Sequence, residues 1–134
     1  MHERMYGYLY RPFNPYGETV CTYCSAYADT IDHVLPICHT AHLKETGIEP
    51  PKDLLLLVPS CKECNSLLGP KVFKSLKAKK AFLLKRYRQR YSAILNQPEL
   101  EDDDYGPSLL AMLKTLESKR QNIMDRVSFL QISI

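Results

Sequence analysis

Leu57-Val58-Pro59-Ser60-Cys61-Lys62-Glu63-Cys64-Asn65 is the stretch on which the fold turns. An apolar run ends at a proline, and a C-x-x-C pair follows at once. Pro59 followed by Ser60 predicts a helix start, with Ser60 as N-cap of a short helix over residues 61–68 that Gly69-Pro70 stops. The apolar run itself, residues 54–58, suits a buried strand or a buried helical turn, and periodicity alone does not choose. Cys61 and Cys64 place two thiolates on one tight turn, which is half of a tetrahedral metal site.

The other half lies upstream, in Cys21-Thr22-Tyr23-Cys24. Two such turns separated by a long loop close one four-thiolate centre. In a core this small, the metal would supply a large share of the folding free energy. A redox C-x-x-C needs the strand–helix setting of a thioredoxin, which is missing here. Four cysteines buried merely as small apolar groups would leave the paired spacing unexplained. The expected cofactor is therefore structural zinc on Cys21, Cys24, Cys61 and Cys64. Cys38, His39 and His42 stand close together and offer three alternatives: replacement of a knuckle ligand, a second ion, or plain loop residues.

With 134 residues, the chain suits one compact domain or a small module with a helical extension. Hydrophobic residues at 45% and charged residues at 25% exclude a disordered chain. The longest apolar run, residues 54–58, is far too short to span a bilayer. The first residues show no cationic stretch followed by an apolar one, so a cytoplasmic location with reduced thiols is expected. The formal charge of +3 hides a segregation: half of the 18 Lys and Arg fall between Lys71 and Arg90. No Asp or Glu occurs between Glu63 and Glu99, and acids gather at residues 99–104.

Tyr6, Tyr8 and Tyr10 alternate with Gly7 and Leu9, which predicts a short strand or extended arm. The first cysteine turn leads into a strand that Pro36 ends or borders. A short helix over residues 38–45 stops at Gly47, and Pro50-Pro51 excludes regular structure there. Two longer helices follow. Phe73, Leu76, Leu83, Leu84, Tyr87, Tyr91 and Ile94 mark the apolar stripe of the first. After the acidic linker, Ser108 is the expected cap of a second, striped by Leu109, Met112, Leu113, Leu116, Ile123, Val127 and Leu130. The two stripes pack on each other as a helical hairpin or against a second subunit, making a homo-oligomer. The fold class is α+β: a small zinc-stabilised core over residues 1–70, then a C-terminal α-helical hairpin over residues 71–134.

Asp32-His33 stands between the two cysteine pairs. On a strand, adjacent side chains point to opposite faces, so the carboxylate and the imidazole take different jobs. One can hold a hard cation while the other takes a proton from water. The plain alternative is a turn Asp beside a surface His.

Taken in order, Cys21-x-x-Cys24, Asp32-His33-Val34-Leu35-Pro36 and Leu57 to Asn65 with Gly69 resemble the zinc-containing branch of the HNH endonucleases. The resemblance covers about residues 18–70 and implies a ββα-metal core. It implies that His33 deprotonates the attacking water. Asp32 and Asn65 would hold a catalytic magnesium or manganese ion, separate from the zinc. The family's middle Asn falls on Leu56, and its usual basic residue before the closing Gly falls on Leu68, with Lys71 just beyond.

Lys71, Lys74, Lys77, Lys80, Arg86 and Arg88, with Tyr87 and Tyr91 interleaved, are the candidates for contact with a phosphate backbone. A solvated helix face is the alternative, but such a face normally carries acids at i,i+4 spacing. No base-reading signature accompanies the charges. The leading expectation is a metal-dependent endonuclease acting on double-stranded DNA. Its rival is a non-catalytic zinc knuckle that binds nucleic acid or a partner protein, its site decayed at Leu56. A third reading makes the C-terminal helices an oligomerisation device and the knuckle a staple.

Overall fold

The computed structural model describes residues 7–11, 19–96 and 107–132, with side chains from residue 110 onward in the last stretch. Tyr6, the acidic linker and the side chains of Ser108 and Leu109 lie outside the described residues. The architecture is mixed α and β. Strands β1 (Leu9–Tyr10), β2 (Thr30–His33) and β3 (Leu56–Ser60) form a sheet of order β1-β3-β2. β1 runs parallel to β3 and β2 antiparallel to it, with Asp32 opposite Val58 and His33 opposite Leu57.

The ambiguous apolar run is thus a strand. It begins at Leu56, after a single 3-10 turn over Lys52–Leu54 that follows the two prolines. β3 sits in the middle of the sheet and most of its residues are buried, so a continuous apolar run fits it better than strict alternation. β1 pairs with Leu56 and Leu57, so the missing N–H of Pro59 breaks no bond to β1.

Helix α1 (Ile37–Glu45) follows β2 and ends at Thr46 and Gly47, whose φ of 78° glycine adopts freely. The buried Tyr8 ties the N-terminal arm to it: its hydroxyl donates to the Leu35 carbonyl and lies 2.9 Å from Thr40 Oγ1. Helix α2 (Lys62–Leu68) starts one residue later than expected. Its N-cap is Cys61, whose sulfur accepts the Cys64 N–H at 3.4 Å, while Ser60 Oγ donates to the Cys61 carbonyl. A cysteine sulfur has replaced the hydroxyl cap. Asp29 Oδ1 accepts the Lys62 N–H at 3.0 Å and satisfies another donor of the first turn.

Helix α3 (Leu76–Arg90) is capped by Ser75, whose Oγ accepts the Ala78 N–H at 3.1 Å. The short α4 (Ser92–Leu95) prolongs it. Helix α5 (Pro107–Ile132) begins at Pro107 itself, a residue suited to a first helical position, so Ser108 lies inside the first turn. α3 and α5 pack along each other as the expected hairpin.

The buried core crosses residue 70. Leu83 and Tyr87 of α3 and Leu130 of α5 join Val34, Leu35, Val58, Leu68 and the four paired cysteines in one cluster. Each such leucine contributes roughly 1.5–3 kcal/mol by leaving water. Further up α5, Met112 and Leu116 are exposed. Among the described residues, no helix is long and apolar enough to cross a membrane.

Candidate metal centre and the Asp32-His33 strand

The first cysteine turn is shaped by its backbone. Val20 and Tyr27 form an antiparallel bridge, and Cys21 exchanges bonds inside it: its N–H donates to the Ala26 carbonyl at 2.7 Å and its carbonyl accepts from Ser25. Ser25 takes a φ of 67°, a left-handed conformation uncommon outside glycine, and this aims both sulfurs inward. Thr22 N–H donates to the Pro59 carbonyl at 2.9 Å, docking the turn on β3 beside the second cysteine pair.

All four sulfurs lie within 4.8 Å of one another and all four residues are buried. Cys24 Sγ and Cys61 Sγ are 3.6 Å apart, too far for a disulfide at about 2.05 Å. Zinc–sulfur bonds of about 2.3 Å in a tetrahedron place sulfurs roughly 3.8 Å apart. The donor set therefore suits a metal such as zinc. Cys38 and His42 are exposed and His39 half-buried, and all three, on α1, lie outside the group.

The crowded thiols do not titrate alike. The bond from Cys21 lowers Cys24 to about 7, and bonds from Cys21, Cys24 and Cys64 push Cys61 down. Cys21 is raised, chiefly by its bond with Cys24, and Cys64 is raised, chiefly by its bond with Cys21. Without a cation, two sulfurs keep their protons so that the others can ionise.

Sequence reasoning missed the groups around the sulfurs. Arg126, on α5, donates from Nε to Cys24 Sγ at 3.3 Å and from Nη2 to Cys61 Sγ at 3.7 Å. The same Nη2 donates to Tyr87 Oη at 2.6 Å, and that hydroxyl lies 2.9 Å from Cys64 Sγ. Nη1 pairs with Glu63 Oε1 at 2.8 Å. Burial works against the Arg126 charge, but Cys24, Tyr87 and Glu63 together outweigh it and hold the guanidinium charged. Tyr87 is raised by burial and then by Cys64, so it stays a phenol able to donate. Read in sequence, Tyr87 belonged to an apolar stripe and Arg126 to no pattern. Glu63, inside the second C-x-x-C, was the one local sign that a cation belonged there.

The Asp32-His33 pair behaves as strand alternation requires. Asp32 faces inward and is 5% exposed. Its Oδ2 accepts from the Tyr23 hydroxyl and pairs with Lys79 Nζ at 2.9 Å. Lys79 also reaches the His33 carbonyl at 3.4 Å. Burial lowers the Lys79 pKa, opposed by Asp32, and burial followed by Asp32 raises Tyr23. His33 is half-buried, with its ring edge-on to Tyr8 at 5.1 Å between centroids. Asn65, on α2, donates from Nδ2 to Thr30 Oγ1 at 3.5 Å. Thr30 and Asp32 share a strand face, so Asn65 stands on the same side of the sheet as the carboxylate. Leu56, at the family's Asn position, is buried in the core. There the main chain holds the loop after His33: Val34 N–H donates to Leu56 O at 2.9 Å and Leu35 N–H to Leu54 O at 3.1 Å.

No family model, curated protein or solved structure matches this chain.

The basic stretch divides. Lys71, Lys74, Lys77, Lys85, Arg86 and Arg88 are exposed. Lys71 Nζ sits 4.3 Å over the Phe82 ring, and Arg88 Nη2 donates to Gln131 Oε1 at 3.3 Å. Lys80 is half-buried; burial lowers its pKa, offset in part by Cys21 nearby. At about 3.6 residues per turn, Lys77, Lys85 and Arg88 share one face of α3 and Arg86 lies roughly opposite Lys77. A hollow of about 620 Å³ lined by Ala81, Leu84, Lys85, Arg88, Gln89 and Ser92 borders that face.

Proposed function

We propose that the chain is a metal-dependent nuclease that hydrolyses phosphodiester bonds in nucleic acid, double-stranded DNA first, from the Asp32-His33 strand. One observation carries the reading. β2 pairs antiparallel with β3, which runs directly into α2, with Asp32 and Asn65 on one side of the sheet and both ends of the unit fastened at the cysteine cluster. This is the order that the HNH resemblance implies. Asp32 and Asn65 offer hard oxygens to a magnesium or manganese ion. Such an ion supplies Lewis-acid stabilisation of a phosphate. His33 accepts the proton of the attacking water as the ester bond opens. Lys79 Nζ now occupies Asp32 Oδ2 at 2.9 Å, so an ion held by Asp32 would take the place of that ammonium. The exposed face of Lys77, Lys85 and Arg88 steers the backbone toward the strand.

A second reading is favoured by one contact. The Lys79 ammonium already neutralises the buried Asp32 carboxylate at 2.9 Å, which suits a binding module with an internal cation in place of a divalent one. Incubating the zinc-loaded protein with plasmid and with single strands, with and without magnesium or manganese, separates the two. The nuclease reading expects ion-dependent cleavage that His33→Ala reduces roughly a hundred- to ten-thousand-fold while binding persists. Tight binding with no cleavage of any nucleic acid selects the module.

A further inference from the structure

The four-thiolate cluster is not covered by its own two turns alone. Its open side is closed by α3 and α5, which begin well after the last cysteine. Arg126 lies 102 residues from Cys24, yet its Nε donates to that sulfur. Each nitrogen of the Arg126 guanidinium is engaged: Nε on Cys24, Nη2 on Cys61 and Tyr87, and Nη1 on Glu63. Its carbon lies 4.7 Å from the Tyr87 ring centroid, so the same group is also stacked. Tyr87 is 1% exposed, with its hydroxyl between the guanidinium and Cys64 Sγ. Glu63, held between the cysteines of the second pair, also accepts from the Tyr91 hydroxyl and from Arg90 Nε at 3.3 Å. Three elements therefore meet at the sulfurs through polar contacts, not through apolar packing alone.

Charge explains why these groups are there. A divalent ion among four thiolates leaves two formal negative charges in a buried place. Buried charge is costly unless it is paired and hydrogen-bonded. A planar fork of N–H donors meets several sulfurs at once, which a lysine ammonium on a flexible stem does not reproduce.

We infer that Arg126 and Tyr87 are positioning residues of the metal centre: they donate hydrogen bonds to its sulfurs, and through them metal loading fixes the C-terminal helical hairpin to the knuckle. The inference rests on the four-cysteine metal site and is independent of any nuclease activity. Donors to sulfur draw electron density from the thiolates and stabilise the charged centre. The hairpin is thus held by the metal as well as by Leu83 and Leu130. Without the ion the four sulfurs are no longer fixed around one centre, and the Arg126 fork loses its rigid set of acceptors.

The test uses the full chain and three variants, Tyr87→Phe, Arg126→Met and Arg126→Lys. Tyr87→Phe keeps the ring and removes only the hydroxyl, so it separates the hydroxyl's bonds to Cys64 and Arg126 from packing. Chelator competition should show zinc affinity weakened roughly 10- to 100-fold in Tyr87→Phe and in Arg126→Met, the usual effect of losing a hydrogen-bond partner of a metal ligand. Arg126→Lys should recover part of that loss through charge but not all of it. Cobalt-substituted protein adds a reading that simple destabilisation does not move: the sulfur-to-cobalt charge-transfer band should shift to lower energy in Tyr87→Phe. Removing the metal from the wild-type chain should speed amide exchange along residues 110–132. If zinc binds normally, yet the variants hold it within about twofold of wild type and the cobalt band stays in place, Arg126 and Tyr87 are packing groups and the inference falls. If the wild-type chain binds no zinc or cobalt, the metal site itself falls and takes the inference with it.

Discussion

Replacing Asp32 by Asn tests the buried ion pair at the centre of the proposed site. The Asp32 and Lys79 side chains are 6% and 2% exposed, and their charged atoms are 2.9 Å apart. At that distance, with an effective dielectric constant of about 20, the gross attraction is roughly 6 kcal/mol. Desolvation offsets much of it. Removing one partner nevertheless leaves an uncompensated buried charge, which costs about 3–5 kcal/mol. The Asn oxygen can still accept from Lys79, and the His33 carbonyl stays within reach at 3.4 Å, so the lower end applies. With a urea m-value of about 1–3 kcal/mol/M, a loss of about 3 kcal/mol lowers the unfolding midpoint by roughly 1–3 M. The measurement is urea unfolding with zinc in excess, so that metal loss does not contribute. Asp32→Asn combined with Lys79→Met removes both charges and keeps the lysine stem volume, so most of the stability should return. A midpoint shift below about 0.5 M for Asp32→Asn would refute the reasoning. So would a double variant as unstable as the two single effects added together.

Leu130→Ala should cost about 2–5 kcal/mol and unfold in the same transition as the knuckle, because Leu130 is fully buried in the shared core; separate transitions in calorimetry would contradict this. Zinc affinity should fall as pH drops, and more steeply below about 7. Bound cysteines must be deprotonated, Cys24 titrates near that value, and Cys21 and Cys64 hold their protons more tightly; titration should record protons released on binding. Lys77→Gln with Lys85→Gln should weaken nucleic-acid binding evenly across sequences and reduce the log–log salt slope by about one for each phosphate no longer neutralised. Cys38→Ser should leave zinc content and melting unchanged, since Cys38 is exposed and outside the cluster, whereas Cys64→Ser should abolish both.

Local chemistry made much of this legible in sequence. The paired C-x-x-C spacing marked the four cysteines that come together, and Gly69 and Gly47 marked where helices stop. Periodicity located α3 and α5. What stayed hidden was long-range pairing. Lys79 reads as one cation in a basic run, yet it turns inward to Asp32, 47 residues away. Lys80 reads as a phosphate contact and lies half-buried near Cys21. Nothing local tells a buried lysine from an exposed one when they stand side by side. The Ser60 cap was displaced because Cys61 carries its own acceptor, and an N-cap assignment from hydroxyls alone overlooks sulfur. Arg126 sits in a helix whose partner is fixed only by tertiary packing, so its role as a sulfur donor had no signature in the chain.

Both functional readings and the docking of the hairpin depend on four sulfurs closing around one ion. X-ray absorption at the zinc edge on the purified chain tests that most directly. The account expects one zinc per chain with four sulfur neighbours at about 2.3 Å and no nitrogen or oxygen ligand. A shell containing imidazole nitrogen at about 2.0 Å, or fewer than four sulfurs, would contradict it by bringing His39, His42 or solvent to the metal.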